Sequence, residues 1–197
     1  MTTMSKGLKA MLAGALIACA LTQAAVAAEV NGVKYPDHAT VAGKELVLNG
    51  LGMRTKFIVK VYATGLYLPE KSKSVAEIMK MEGPRKVKIV MMRDITSDDF
   101  GQAFMAGLNH NVGPAEKSRI AVQISKFGEM FALLETLKKN DVLDLDFVPG
   151  AGTTCYLNGK RIGEVVPDVA FYNAILAIWL GENPADTSLK PKLLGAS

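Results

Sequence analysis

From Lys56 to Leu68 the chain alternates: Phe57, Val59, Val61 and Ala63 fall on one face of an extended segment, and Lys56, Lys60, Tyr62 and Thr64 on the other. The spacing predicts a long strand with one face against a core. Ahead of it, Glu45 to Leu48 reads as a short strand ending in a flexible turn, Asn49-Gly50-Leu51-Gly52. Val87 to Met92 is a strongly apolar strand, and Asp141 to Val148 alternates cleanly. Two further strands, Thr153 to Leu157 and Arg161 to Val166, flank Asn158-Gly159, the favoured two-residue hairpin turn.

Between and after these strands the period changes to that of helices. Ser74 with Glu77 three positions on has the spacing of a capping box, opening a short helix. Ser97-Asp98-Asp99 supplies a cap and acidic first-turn residues for a helix to about Asn109. Beyond Gly113-Pro114, the apolar residues Ile120, Ile124, Phe127, Phe131 and Leu134 form one stripe, which predicts a single continuous helix laid on a sheet. Residues 168 to 180 are apolar on most faces and predict a helix that is buried or walls a cavity. A mostly antiparallel sheet with helices gathered on one side is an α+β arrangement.

The first 28 residues do not fit that globule. Lys6 and Lys9 precede a short apolar run, and Ala25-Val26-Ala27 has the small-x-small form of a signal peptidase site, so residues 1–28 read as a secretory signal peptide rather than a membrane span. Leu16-Ile17-Ala18-Cys19 also fits the pattern before a lipid-modified cysteine, but the apolar run continues past Cys19, which favours ordinary export. The mature domain is then residues 29–197, with no linker or repeat to divide it.

Charge and composition narrow the function. The chain has 197 residues and 49% hydrophobic content, enough for one sizeable core. Removing the two leader lysines from 23 basic residues leaves 21 against 19 acidic ones, too even a balance to indicate a nucleic-acid binder. Arg85, Lys86 and Lys88 read as the solvated end and outward face of a strand. Asp144 and Asp146, alternating with Leu143, Leu145 and Phe147, read as the wet face of another. Two cysteines and two histidines supply neither a disulfide scaffold nor a His-rich metal site, and no cofactor motif is present. Ser118 and Cys155 have no histidine near them in sequence to make a nucleophile. Ten methionines suit an adaptable apolar interior able to take an alkyl chain or a flat ring.

Gly50-Leu51-Gly52-Met53-Arg54, followed by Lys60-Val61-Tyr62 and Leu66-Tyr67, resembles the chalcone isomerase-like superfamily, in particular its exported bacterial branch. The likeness continues through Gly113-Pro114, Ser118-Arg119, Pro149-Gly150-Ala151 and Ile175 to Glu182. It implies an open-faced β-sandwich, an antiparallel sheet layered with helices around a cleft. Plant members of that superfamily close chalcones to flavanones, and others bind fatty acids. By resemblance, Arg54 matches the arginine that meets the ligand's anionic group. Tyr62 matches a position that is threonine in the enzymes and tyrosine in the lipid binders. Three polar positions of the enzymes fall at Lys117, Ile124 and Ile178, two of them aliphatic here.

These residues lead to a periplasmic protein that binds a small amphipathic anion such as a fatty acid, without chalcone isomerase activity. Arg54 and Tyr62 would take the head group, and Met91, Ile124, Ile178 and Trp179 would line the pocket. No metal, cofactor or nucleic acid is implied. The alternatives are an isomerase acting on an enone-like substrate, with Arg54 as electrophile and Tyr62 as acid–base partner, and an envelope interaction module with a closed core. A single straight strand would hold Arg54 and Tyr62 roughly 26 Å apart at about 3.3 Å per residue, so a joint site requires a fold-back near Thr55-Lys56.

Overall fold

The computed structural model describes residues 27–196; of the predicted leader only Ala27 and Ala28 are among them, and they begin the first strand. The chain opens with strands β1 (Ala27–Val30), β2 (Val33–Pro36), β3 (His38–Val41), β4 (Lys44–Lys56) and β5 (Val59–Leu68). Helix α1 (Val75–Lys80), strands β6 (Arg85–Met91) and β7 (Ile95–Thr96), and helices α2 (Ser97–Asn111), α3 (Pro114–Arg119) and α4 (Ala121–Ala132) follow. The remainder comprises β8 (Thr136–Leu137), β9 (Val142–Val148), β10 (Gly152–Leu157), β11 (Lys160–Val166), α5 (Val169–Leu180) and α6 (Leu189–Leu193).

Seven strands form one antiparallel sheet in the order β11-β10-β9-β6-β5-β4-β3. Period-two alternation divides its side chains between two buried faces. Val87, Ile89, Met91, Leu143, Leu145 and Phe147 face the helical layer built on α2, α4 and α5. Ala63, Tyr67, Val90 and Met53 face the other way, under the β1–β2 ribbon. This second cover explains why β5 is buried on both sides from Val61 to Tyr67, where the sequence predicts one core face. The molecule is the α+β, open-faced sandwich expected.

The Asn49–Gly52 segment is not a turn. It lies inside β4, which runs unbroken for 13 residues. Asn49 is a bulge between the pairs Leu48–Tyr67 and Gly50–Leu66, and its side chain donates to the Ser72 and Leu193 carbonyls at 3.0 and 2.7 Å. The two glycines let α6 lie against the strand. A Cβ on Gly50 would stand 2.1 Å from the Lys192 carbonyl oxygen, and one on Gly52 would stand 2.6 Å from Leu189 Cδ1. Glycine within a strand here marks close approach of another backbone.

The predicted helix from Gly113 is two helices. Ile120 leaves helical geometry at φ −104° and ψ 15° and is fully buried, so α3 stops there and α4 starts beyond it. Arg85 is not solvated: it is 0% exposed and faces the helices. Its Nη1 donates to the Ile78 carbonyl and Asn173 Oδ1, both at 3.0 Å, and its guanidinium lies 4.8 Å from the Phe147 ring centre. Asp144 and Asp146 are also covered, with side chains 13% and 11% exposed, and both lie within 4 Å of Lys86 Nζ, at 3.6 and 3.3 Å.

Candidate functional site

The fold-back that brings Arg54 to Tyr62 occurs two residues later than expected, at Phe57-Ile58. Lys56 pairs with Val59, and β4 and β5 form a tight hairpin. Arg54 is consequently the direct cross-strand partner of Tyr62, and its guanidinium carbon sits 5.5 Å from the centre of the Tyr62 ring. The register slips immediately beyond them: Arg54 pairs with Tyr62 but Thr55 pairs with Lys60, leaving Val61 as the extra residue of a bulge. A bulge turns consecutive side chains toward one side and re-aims them. Val61 and Tyr62 therefore both face the helices, although strict alternation would separate them.

Over this hairpin lies a hollow of about 620 Å³, within the range of small-molecule sites. Arg54, Val61 and Tyr62 form its floor. Phe100 and Phe104, one helical turn apart on α2, make one wall, and Ile178 and Trp179 at the end of α5 make another. Lys56, Phe57, Arg93, Asp94 and Asp99 stand around the same hollow. The helix predicted to be buried or to wall a cavity does both: most of its length is buried, and its last turn borders the hollow. Phe100 and Phe104 are not among the lining residues expected from the sequence, although their four-residue spacing is readable there.

Two of the expected lining residues lie elsewhere. Met91 is the register partner of Tyr62 on β6 and is wholly covered by the core. Ile124 is on α4, behind α2, where it lines a separate hollow of about 310 Å³ with Phe104 and Phe127. The methionines do not furnish the main hollow either: its apolar walls are aromatic and aliphatic, while Met79 and Met81 border a third hollow at the opposite end of β6, and Met105 the one beside α4.

The polar groups of the site form a short relay. Trp179 Nε1 donates to Tyr62 Oη at 2.8 Å, which leaves the tyrosine's own hydrogen to be donated onward. Among the described residues nothing accepts it. Burial pushes the Tyr62 hydroxyl up to about 12, against the opposing effects of the Arg54 charge and the Trp179 hydrogen bond. It is a donor, not a base, across the physiological range. Among the described residues no carboxylate lies within ion-pairing distance of Arg54. The nearby Asp186 is already engaged. Its Oδ2 accepts from the Thr55 backbone N–H at 2.9 Å and its Oδ1 from Ser188. Burial alone would raise its carboxyl, but these hydrogen bonds outweigh it and hold Asp186 below the ordinary range.

A curled antiparallel sheet with a helical layer over an arginine-bearing hollow is the class of protein that fold and site define. The chain belongs to the chalcone isomerase-like family, whose model matches residues 27–195. Among solved structures it is similar to a fatty-acid binding protein of Arabidopsis thaliana, with a TM-score of 0.66, 16% identity, and coverage of 86% of this chain and 96% of that one. A search of curated proteins finds no match. At that identity, the likeness establishes the shared fold.

Proposed function

We infer that this chain is an exported binding protein for a small amphipathic anion, a fatty acid being the best-fitting class. The observation that carries the reading is the pairing of Arg54, with no ion-pair partner among the described residues, with a Tyr62 hydroxyl whose hydrogen has no acceptor, on the floor of one hollow. A guanidinium beside apolar walls is costly unless an anion meets it. A carboxylate would take charge-assisted hydrogen bonds from Arg54 and accept from Tyr62. An alkyl tail would lie along Phe100, Phe104 and Ile178, with a gross apolar gain of about 0.8 kcal/mol per buried CH₂. The neighbour named as a fatty-acid binding protein supports the same class. The basic and apolar start of the sequence supports export to the periplasm.

An isomerase finds less support in the site. Ile178 presents no polar group to the hollow, Lys117 is turned to Asn109 Oδ1 at 3.2 Å, and Ile124 lies behind α2. Tyr62 would be a poor base with its hydroxyl raised to about 12. Calorimetric titration of dodecanoate and hexadecanoate into the purified protein tests the binding reading. Saturable 1:1 binding is expected, with loss of about ten- to a hundredfold in Arg54→Ala, as for a hydrogen bond to a charged group. Absence of binding by the unsubstituted protein would remove the reading.

A further inference from the structure

Among the described residues four two-residue turns join neighbouring strands, and three of them place glycine, which suits a positive φ, at the second position. Asn31-Gly32, Ala42-Gly43 and Asn158-Gly159 all have both residues at positive φ and end in glycine. The β4–β5 turn is the exception. Phe57 occupies φ +57°, where a bulky residue is an outlier, and Ile58 follows it. Phe57 is 93% exposed and Ile58 95% exposed, so neither gains packing in return for that strain. Val122, Leu133 and Val169 are exposed singly; here Phe57, Ile58 and the partly exposed Val59 are consecutive at the end of the β4–β5 hairpin. Backbone strain of this kind persists where another requirement fixes the residue.

Basic groups surround the tip. Lys56 and Lys60 flank it and are exposed, and Arg54 and Arg93 stand at the adjoining hollow, against the carboxylates Asp94 and Asp99. A folded protein partner would need roughly 800 Å² of matching surface per side, which two side chains on a convex tip do not offer. A bilayer needs no matching pocket. It accepts an apolar wedge at the acyl boundary and attracts flanking lysines to anionic head groups. We propose that the Phe57-Ile58 tip is an interfacial anchor that docks this protein on a bilayer containing anionic lipid. Phe57 and Lys56 also border the hollow, so docking sets its mouth against the lipid. That last role, direct exchange of ligand with the membrane, rests on the fatty-acid reading; the docking itself does not.

The test is co-sedimentation of the exported chain, as the cell processes it, with vesicles of phosphatidylcholine and phosphatidylglycerol at 7:3, without fatty acid and at low salt. The double variant F57N/I58G puts asparagine, which tolerates a positive φ, at 57 and glycine, which accepts either sign of φ, at 58, so its Tm should equal or exceed that of the unsubstituted protein. Its vesicle partition should fall by about tenfold or more, following the loss of two insertable apolar side chains. K56E/K60E should weaken binding to these vesicles, as should half-molar salt. Equal partition by F57N/I58G and the unsubstituted protein would overturn the proposal. So would sedimentation of the unsubstituted protein as a concentration-dependent dimer that F57N/I58G abolishes, because the tip would then bind a second copy. Calorimetry with fatty acid in the absence of vesicles separates failure of docking from failure of ligand binding.

Discussion

In the proposed site Arg54 offers a charge and Tyr62 a single donated hydrogen, and substitution should separate the two. Arg54→Lys keeps the charge but loses the planar fork, so affinity for a carboxylate should fall by less than in Arg54→Ala and still measurably, by calorimetry. Tyr62→Phe removes the donated hydrogen and leaves Trp179 Nε1 buried without its acceptor. It should therefore weaken binding and also cost about 1–3 kcal/mol of stability, whereas Arg54→Ala should leave the denaturation midpoint nearly unchanged. A Tyr62→Phe protein with undiminished stability would show that the indole hydrogen bond contributes nothing. The pH response follows from the same groups. Tyr62 is raised to about 12, so it stays a neutral donor and affinity should be level from about pH 6 to 10. Affinity should fall below that window as the ligand's own carboxyl protonates. A step near pH 10 in a fluorescence titration read from Trp179 would mean that Tyr62 titrates like an exposed tyrosine.

At the scale of elements, β4 shows what a sequence can hide. Glycine and asparagine at positions 49–52 carry the signature of a turn, and the structure uses them instead for a bulge and for the close passage of α6. Only the approach of a helix some 140 residues later distinguishes the two meanings, and no local pattern reports it. Gly50→Ala is therefore expected to destabilise by about 3 kcal/mol, at the upper end of overpacking costs, because the Lys192 carbonyl must move. A thermal melt within a degree of the unsubstituted protein would show that α6 is loosely held. The elements that were legible are those fixed by local chemistry. Asn158-Gly159 forms its hairpin turn, with both residues at positive φ, and Ser74 Oγ caps α1 by accepting from the Glu77 N–H at 3.3 Å. The helix break at Ile120 was hidden for the opposite reason, since a buried isoleucine in phase with its stripe is equally compatible with one helix or two. In the site, the Arg54–Tyr62 pairing was open until the position of the turn was known. Trp179 and Ile178 were accessible from the apolar last helix, whereas assigning Ile124 to the main hollow required knowing that α2 intervenes.

Across the whole molecule, the sheet separates two chemistries. Its helix side carries the hollow, and its other side carries a covered layer of charge that sequence alternation alone presented as solvated. Asp144 and Asp146 on β9 face Lys86 and Lys88 on β6, beneath the side of the sheet that the β1–β2 ribbon covers. Burial raises the Asp146 carboxyl to about 6, with the neighbouring Asp144 charge adding to it and Lys86 and Lys88 opposing. Its unfolded value is near 3.9. In the window from about pH 4 to 6 the folded chain therefore holds a proton that the unfolded chain has released. The contribution of this group to stability is full below pH 4 and is lost as pH rises through 6. Asp146→Asn presents a neutral side chain at every pH, so the difference in stability between it and the unsubstituted protein should change between pH 4 and 7, with the unsubstituted protein gaining on the variant as pH falls. Urea denaturation at half-unit pH steps measures that difference directly, and contributions common to both proteins cancel in it. A difference constant across the window would mean that Asp146 keeps its charge when folded, and that Lys86 outweighs the cost of covering this face of the sheet.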